Sequence, residues 1–160
     1  MSICKLLGVL LLLGCGVGAG VMLACAERRR CREAEGYAAL MRHIRVQIAQ
    51  FSTPVGQILA SCQKCVLFDI GVGTGHKFED FSALLDAAPL TIPRDMCEML
   101  RDFAAQLGGS YREEQLRCCD DLLARFTPAC AGLRKELPKK EKMMLVVPSA
   151  LAAILALALI

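Results

Sequence analysis

The chain has 160 residues, 55% hydrophobic and 5% aromatic with no Trp, and carries 19 Lys/Arg against 16 Asp/Glu. A formal net charge of +3 excludes the broad cationic surface of a nucleic-acid-binding protein, and no nucleic-acid partner is expected. Ten cysteines require a disulfide framework, a thiol or metal centre, or a set of small buried side chains.

The chain opens with an uncharged apolar run from Leu6 to Ala26 and closes with another from Met143 to Ile160, 21 and 18 residues long. A helix rises about 1.5 Å per residue, so each run approaches the roughly 30 Å of a hydrocarbon core, and both are expected to be transmembrane helices. Their inner borders are basic, with Arg28, Arg29, Arg30 and Arg32 after the first run and Lys139, Lys140 and Lys142 before the second. Bases beside a membrane helix are retained on the cytoplasmic side and attract anionic lipid headgroups. The expected domains are a transmembrane anchor over 1–26, a cytoplasmic helical domain over 27–142 and a transmembrane helix over 143–160.

Within the first run, Gly14 and Gly18, and Gly16 and Gly20, form two small-x-x-x-small pairs that let another helix approach closely. Beyond it, Tyr37, Leu40, Met41, Ile44, Ile48 and Phe51 recur at helical spacing, which predicts that the helix continues out of the membrane without a break. Thr53 and Pro54 form a helix turn, Thr53 as cap and Pro54 as first residue of a second, antiparallel helix through Val55, Ile58, Leu59, Cys62 and Val66. The glycine-rich stretch at 69–76 lacks the spacing and the Lys-Ser/Thr of a phosphate loop and reads as a linker, with His76 an exposed loop residue. A short helix over Phe78 to Ala87 follows.

Pro93 opens a helix with Met96, Met99, Leu100, Phe103, Ala104 and Leu107 on one face, ended by Gly108 and Gly109. Ser110 and Glu113 form a capping box for the next helix, whose stripe is Leu116, Cys119, Leu122, Leu123 and Phe126. Pro128 is expected to kink or break that helix before Cys130, Leu133 and Leu137. No alternating pattern competes, so the fold class is all-α: a small cytoplasmic antiparallel helical bundle flanked by N- and C-terminal transmembrane helices.

Glu113, Glu114, Asp120 and Asp121 fall on solvated helix surface with no His nearby in sequence, and no catalytic, cofactor-binding or metal-ligating residue is assigned. Cys62-Gln63-Lys64-Cys65 has the spacing of half a zinc or thiol-redox site, with Cys118 or Cys119 as further thiols; a cysteine-based metal or redox protein is one alternative. A second is a lipid-anchored extracytoplasmic module, because small residues precede Cys15 and Cys25. The bases that follow the apolar run oppose it, since they retain a domain rather than export it.

The order of these features resembles the stage III sporulation protein AB family of endospore-forming bacteria. The likeness begins with the Lys5 to Gly8 anchor and Arg-rich exit, continues through Thr53-Pro54, Leu59, Phe78-Glu79 and Leu84, and includes Lys140-Glu141-Lys142 before the final run. Its centre is Leu107-Gly108-Gly109-Ser110-Tyr111-Arg112-Glu113-Glu114-Gln115, which is similar to the family's helix junction, with Tyr111 where an acid is common. The resemblance implies a fold similar to the cytoplasmic helical domain of type II secretion and type IV pilus platform proteins. It also implies a non-enzymatic scaffold in the transenvelope channel between mother cell and forespore, on the mother-cell side of the forespore-surrounding membrane. The partners so implied are a secretion-type ATPase, similar to the stage III sporulation protein AA, and other membrane subunits of the sporulation channel. Contact with the ATPase is expected at Leu107, Gly108, Ser110, Tyr111, Glu113 and Gln115.

Overall fold

A computed structural model describes residues 3–51, 55–73, 78–107 and 111–158. The described residues form six helices and no strand, in the order α1 (Ile3–Phe51), α2 (Val55–Ser61), α3 (Lys64–Asp69), α4 (Phe81–Ala87), α5 (Arg94–Gln106) and α6 (Arg112–Ala158). They form two compact units: residues 30–133, which are polar outside, and residues 1–29 with 134–160.

In the second of these units the apolar ends of α1 and α6 pack antiparallel. A methyl group built on Gly16 meets the Cβ of Ala152 at 2.5 Å and the Pro148 carbonyl at 3.0 Å, and one built on Gly20 meets the Met144 carbonyl at 3.0 Å. The missing side chains therefore let the two backbones touch, and Ala24, Ala152 and Ala156 extend the same buried seam. The pair Gly14 and Gly18 faces open space. Leu7, Leu10, Met22, Ile154 and Leu157 point outward, leaving an apolar exterior of the kind that meets lipid or protein rather than water. Among the described residues one helix is long and apolar enough to cross a membrane, the stretch of α1 that starts at Leu7. The uncharged end of α6, Met143 to Ala158, is 16 residues within the described part.

The polar unit is built on the stripe expected along α1: Tyr37, Leu40, Met41, Ile44 and Ile48 are all buried, joined by Ala34 and Ala38. Facing them are Ile58 and Leu59 of α2, Phe81, Leu84 and Leu85 of α4, Met96, Leu100 and Phe103 of α5, and Cys119, Leu122, Phe126 and Cys130 of α6. The rings of Phe81 and Phe103 meet edge to face with centroids 5.3 Å apart, fixing α4 against α5.

Three expectations about helix limits are corrected. The second helix does not run through to Val66, because it ends at Ser61, whose hydroxyl donates to the Ile58 carbonyl at 2.8 Å; Gln63 is extended (φ −62°, ψ 134°) and a new helix, α3, starts at Lys64. The helix expected from Phe78 starts instead at Phe81, because Asp80 is its cap and accepts from the Ala83 amide at 2.7 Å. Pro128 does not break α6, which is helical from Arg112 to Ala158. An interior proline costs about 3 kcal/mol in an isolated helix, but Phe126 and Cys130, buried on either side of it, hold both flanks on the core. Thr53, Pro54, His76, Gly108, Gly109 and Ser110 lie outside the described residues.

The seam makes unequal demands on its glycines. Gly16→Ala is expected to destabilise the full chain in detergent micelles by about 1–3 kcal/mol through overpacking, and Gly18→Ala to leave it unchanged or slightly stabilised, read by denaturant titration of the helical circular dichroism signal.

Candidate functional site

The junction expected to dock a partner lies where α5 ends and α6 begins. Leu107 is half-buried and caps α5 through its amide, which donates to the Phe103 carbonyl at 2.9 Å. Tyr111 is 89% exposed, an unusual position for so large an aromatic side chain, while its carbonyl accepts from the amides of Glu114 and Gln115 at 3.0 Å and starts the first turn of α6. Glu113 and Glu114 are exposed in that turn, where a negative charge suits the helix dipole, and Gln115 is half-buried.

The next residue ties the junction to the rest of the polar unit. The Arg112 guanidinium donates from Nε to the Ile48 carbonyl at 3.1 Å and from Nη2 to the Ala49 carbonyl. These are carbonyls of the last turn of α1, which have no partner within the helix, so the cation both satisfies them and opposes the dipole's negative end. About two turns of α6 further on, Arg45 of α1 holds Asp120 through both oxygens, with Nη2 to Oδ2 at 3.1 Å. That arginine keeps the Asp120 carboxyl below the usual aspartate range.

The one buried charged residue among those described is Glu33, 2% exposed. Its carboxylate accepts from the Thr91 amide at 3.0 Å and from the Thr91 hydroxyl, so α1 anchors the segment that leads into α5. A buried carboxylate needs such donors, since an unsatisfied one costs several kcal/mol. One turn along, the Tyr37 hydroxyl is buried without a hydrogen-bond partner, and burial raises its pKa, with the Glu33 charge adding to the effect. Sequence reasoning missed Glu33, although it lies four residues before Tyr37 and therefore in register with the apolar stripe of α1. It also missed the pairings of Arg45 and Arg112, which join positions 75 and 64 residues apart and leave no local signal.

Between α5 and α6 runs a groove lined by Met99, Asp102, Phe103 and Gln106 on one wall and Cys118, Asp121, Leu122 and Arg125 on the other. The Cys118 thiol donates to Gln106 Oε1 at 3.4 Å across one end.

The bases expected to meet lipid are distributed unevenly. Arg28 is engaged by Glu141, with Nη2 to Oε2 at 3.2 Å, and the pairing draws the Glu141 carboxyl below its ordinary range. Lys140 pairs with Glu136 at 3.1 Å one turn away. Arg29, Arg30, Arg32, Lys139 and Lys142 are exposed.

Cys62 is buried and Cys65 exposed, with the Cys65 thiol against Gln63 Oε1 at 3.6 Å, so the break after Ser61 splits the half-site between core and surface. Among the described residues no three His, Cys, Asp or Glu side chains gather as metal ligands. Burial pushes the Cys119 thiol up to about 12 and the Cys130 thiol to about 11, and raises Cys62, Cys97 and Cys118 as well. Thiols held protonated are poor nucleophiles and poor ligands, and these serve as small apolar side chains.

Comparison with family models, with curated proteins and with solved structures finds no match to this chain.

The Arg45 pairing generates a pH signature. Because the folded pKa of Asp120 is depressed, its contribution to stability is present at neutral pH and is lost as pH falls through that lowered value. NMR titration of the Asp120 carboxyl is expected to give a midpoint below the usual aspartate value, and Arg45→Gln to bring it back up to that value.

Proposed function

We propose that this chain is a non-enzymatic membrane scaffold, a platform subunit of the sporulation transenvelope complex between mother cell and forespore that docks a secretion-type ATPase. The observation that supports the scaffold reading is the continuity of α1 and α6, each of which begins or ends in an uncharged apolar segment and contributes the core stripe of the polar unit. Each of the two long helices thus has residues in both the apolar unit and the polar unit. The resemblance to the stage III sporulation protein AB family supplies the specific partners: an ATPase similar to the stage III sporulation protein AA, and other membrane subunits of the channel. On this reading the hairpin lies in the cell membrane, residues 27–142 face the mother-cell cytoplasm, and the exposed Arg29, Arg32, Lys139 and Lys142 meet anionic headgroups at about 1 kcal/mol per base.

Docking is assigned to the α5–α6 junction. Tyr111 is the residue best suited to anchor a partner, since a tyrosine gives large, rigid contact area with a polar tip, and here almost all of it is available. Glu113, two residues on, supplies a charge for a basic counterpart.

The full chain in lipid nanodiscs is expected to capture the secretion-type ATPase of the same cell, tested with ATP, with ADP and without nucleotide. Replacing Tyr111 and Glu113 together by Ala is expected to weaken capture at least about tenfold, the loss of about 1.4 kcal/mol. Absence of capture in every nucleotide state, by protein that retains its helical signal, contradicts the docking assignment.

A further inference from the structure

Helix α3 leaves one face without a partner. Val66 and Leu67 pack against the core, while Lys64, Cys65 and Phe68 are exposed. Phe68 is 74% exposed, and of the large apolar side chains exposed within residues 30–133, Val46, Phe68 and Tyr111, it is the one aromatic ring with no polar atom. The end of α3 fixes its position. The Gly71 amide donates to the Phe68 carbonyl and the Val72 amide to the Leu67 carbonyl, both at 3.0 Å, a Schellman cap with Gly71 at φ 79°.

The course of α3 along α1 sets the level of that ring. Before α3 the Ser61 hydroxyl lies 3.5 Å from His43 Nε2, and the end of α3 rests on Gly36, where a methyl group would meet Ile70 Cγ2 at 3.0 Å and Asp69 Cβ at 3.1 Å. The segment therefore runs back along α1 toward its apolar run, and Phe68 stands at the end nearer that run. Gly36 follows Arg32 by one turn and Arg29 by two, about 6 and 10 Å of helix. At about 100° per residue Arg32, Arg29, Cys25, Met22 and Gly18 all fall within about 40° of Gly36 around the α1 axis. The four side chains are exposed and Gly18 meets open space, whereas Gly16 and Gly20, which contact α6, lie about 160° away. Helix α3 thus packs on the face of α1 that is turned away from the seam, and that face leads from Gly36 through two exposed bases to exposed apolar surface.

We propose that the exposed face of α3 is a bilayer contact, with Phe68 in the headgroup layer of an anionic leaflet beside lipids whose phosphates Arg29 and Arg32 engage. The proposal rests on the placement of the apolar hairpin in the membrane and adds a contact made by the polar unit itself. The headgroup layer receives apolar side chains to a depth of about 5–10 Å where neighbouring bases draw in anionic lipid. Lipid is the occupant because the face of α1 that carries α3 passes directly into the exposed apolar side chains of the run. Asp69, exposed next to Phe68, is the acid set against Arg29, Arg32 and Lys64. A ring held in this layer fixes which side of the polar unit faces lipid.

The chain has no Trp, so one introduced tryptophan reports one position. Phe68→Trp, Met22→Trp and Tyr111→Trp, each in the full chain, are placed in nanodiscs of phosphatidylcholine and phosphatidylglycerol whose acyl chains are either unmodified or brominated near the headgroup. Bromine quenches tryptophan only at close range. Phe68→Trp is expected to lose about half its emission in the brominated discs, as a ring at the headgroup–acyl boundary does, and to lose less in brominated discs of phosphatidylcholine alone. Met22→Trp, in the apolar run, is expected to be quenched, and Tyr111→Trp, beside the far end of α1, to keep its emission. Quenching of Met22→Trp with none of Phe68→Trp would overturn the α3 contact and leave the membrane reading standing. No quenching at either position would refute the membrane reading and the contact with it. Equal quenching of Tyr111→Trp and Phe68→Trp would overturn the contact as unspecific, and equal quenching of Phe68→Trp without phosphatidylglycerol would overturn the assignment to anionic lipid.

Discussion

Helix α1 has to be apolar on every side over its first half and apolar on one face only over its second, and the remaining structure follows from that change. Up to Ala26 no position carries a charge after Lys5, so nothing along the helix favours water over lipid or another apolar helix. From Arg28 onward charged residues enter the helix, and the apolar stripe that continues, Tyr37, Leu40, Met41, Ile44 and Ile48, is the surface onto which α2, α4, α5 and α6 fold. Helix α6 repeats the pattern in reverse, apolar on one face from Cys119 to Cys130 and uncharged after Lys142. Where both helices are uncharged, hydrophobicity cannot distinguish a partner helix from lipid tails, and close backbone contact at Gly16 and Gly20 decides the pairing instead.

The long helices were legible because they bury a regular stripe. On α1 the expected residues from Tyr37 to Ile48 lie in the core; on α5 and α6 Met96, Leu100, Phe103, Cys119, Leu122, Phe126 and Cys130 do, with Met99, Ala104, Leu107, Leu116 and Leu123 half-buried against them. The choice between the two glycine pairs was not legible, since Gly14 and Gly18 have the same spacing as Gly16 and Gly20 and only the position of α6 separates them. The split between α2 and α3 was hidden because Cys62 and Val66 continue the apolar spacing while Ser61 and Gln63 turn the backbone aside. Pro128 misled in the opposite direction. Local propensity predicts a break, and burial on both sides overrides it.

The polar elements of the junction were the least legible. Tyr111, Glu113 and Gln115 could be placed at a helix start, but not the role of Arg112 between them, which depends on the carbonyls of Ile48 and Ala49. Glu33 and Thr91 likewise meet only in the folded chain. These three links, Arg112 to α1, Arg45 to Asp120 and Glu33 to Thr91, all join α1 to the α5–α6 region. They are directional where the core is not, and they fix the orientation in which Tyr111 and the groove are presented. The cysteines serve the core in a simpler way: Cys119 and Cys130 occupy stripe positions where a larger aliphatic side chain would hold the helices further apart.

On the proposed membrane reading, the side on which the polar unit lies decides between a cytoplasmic scaffold and an extracytoplasmic module. Cys65, exposed on α3, is a native reporter, and labelling with a membrane-impermeant maleimide in intact and in permeabilised cells reads its location directly. The account predicts that Cys65 is labelled only after permeabilisation. Labelling of Cys65 in intact cells would place the unit outside, and would contradict both the basic-border topology and the docking of a cytoplasmic ATPase.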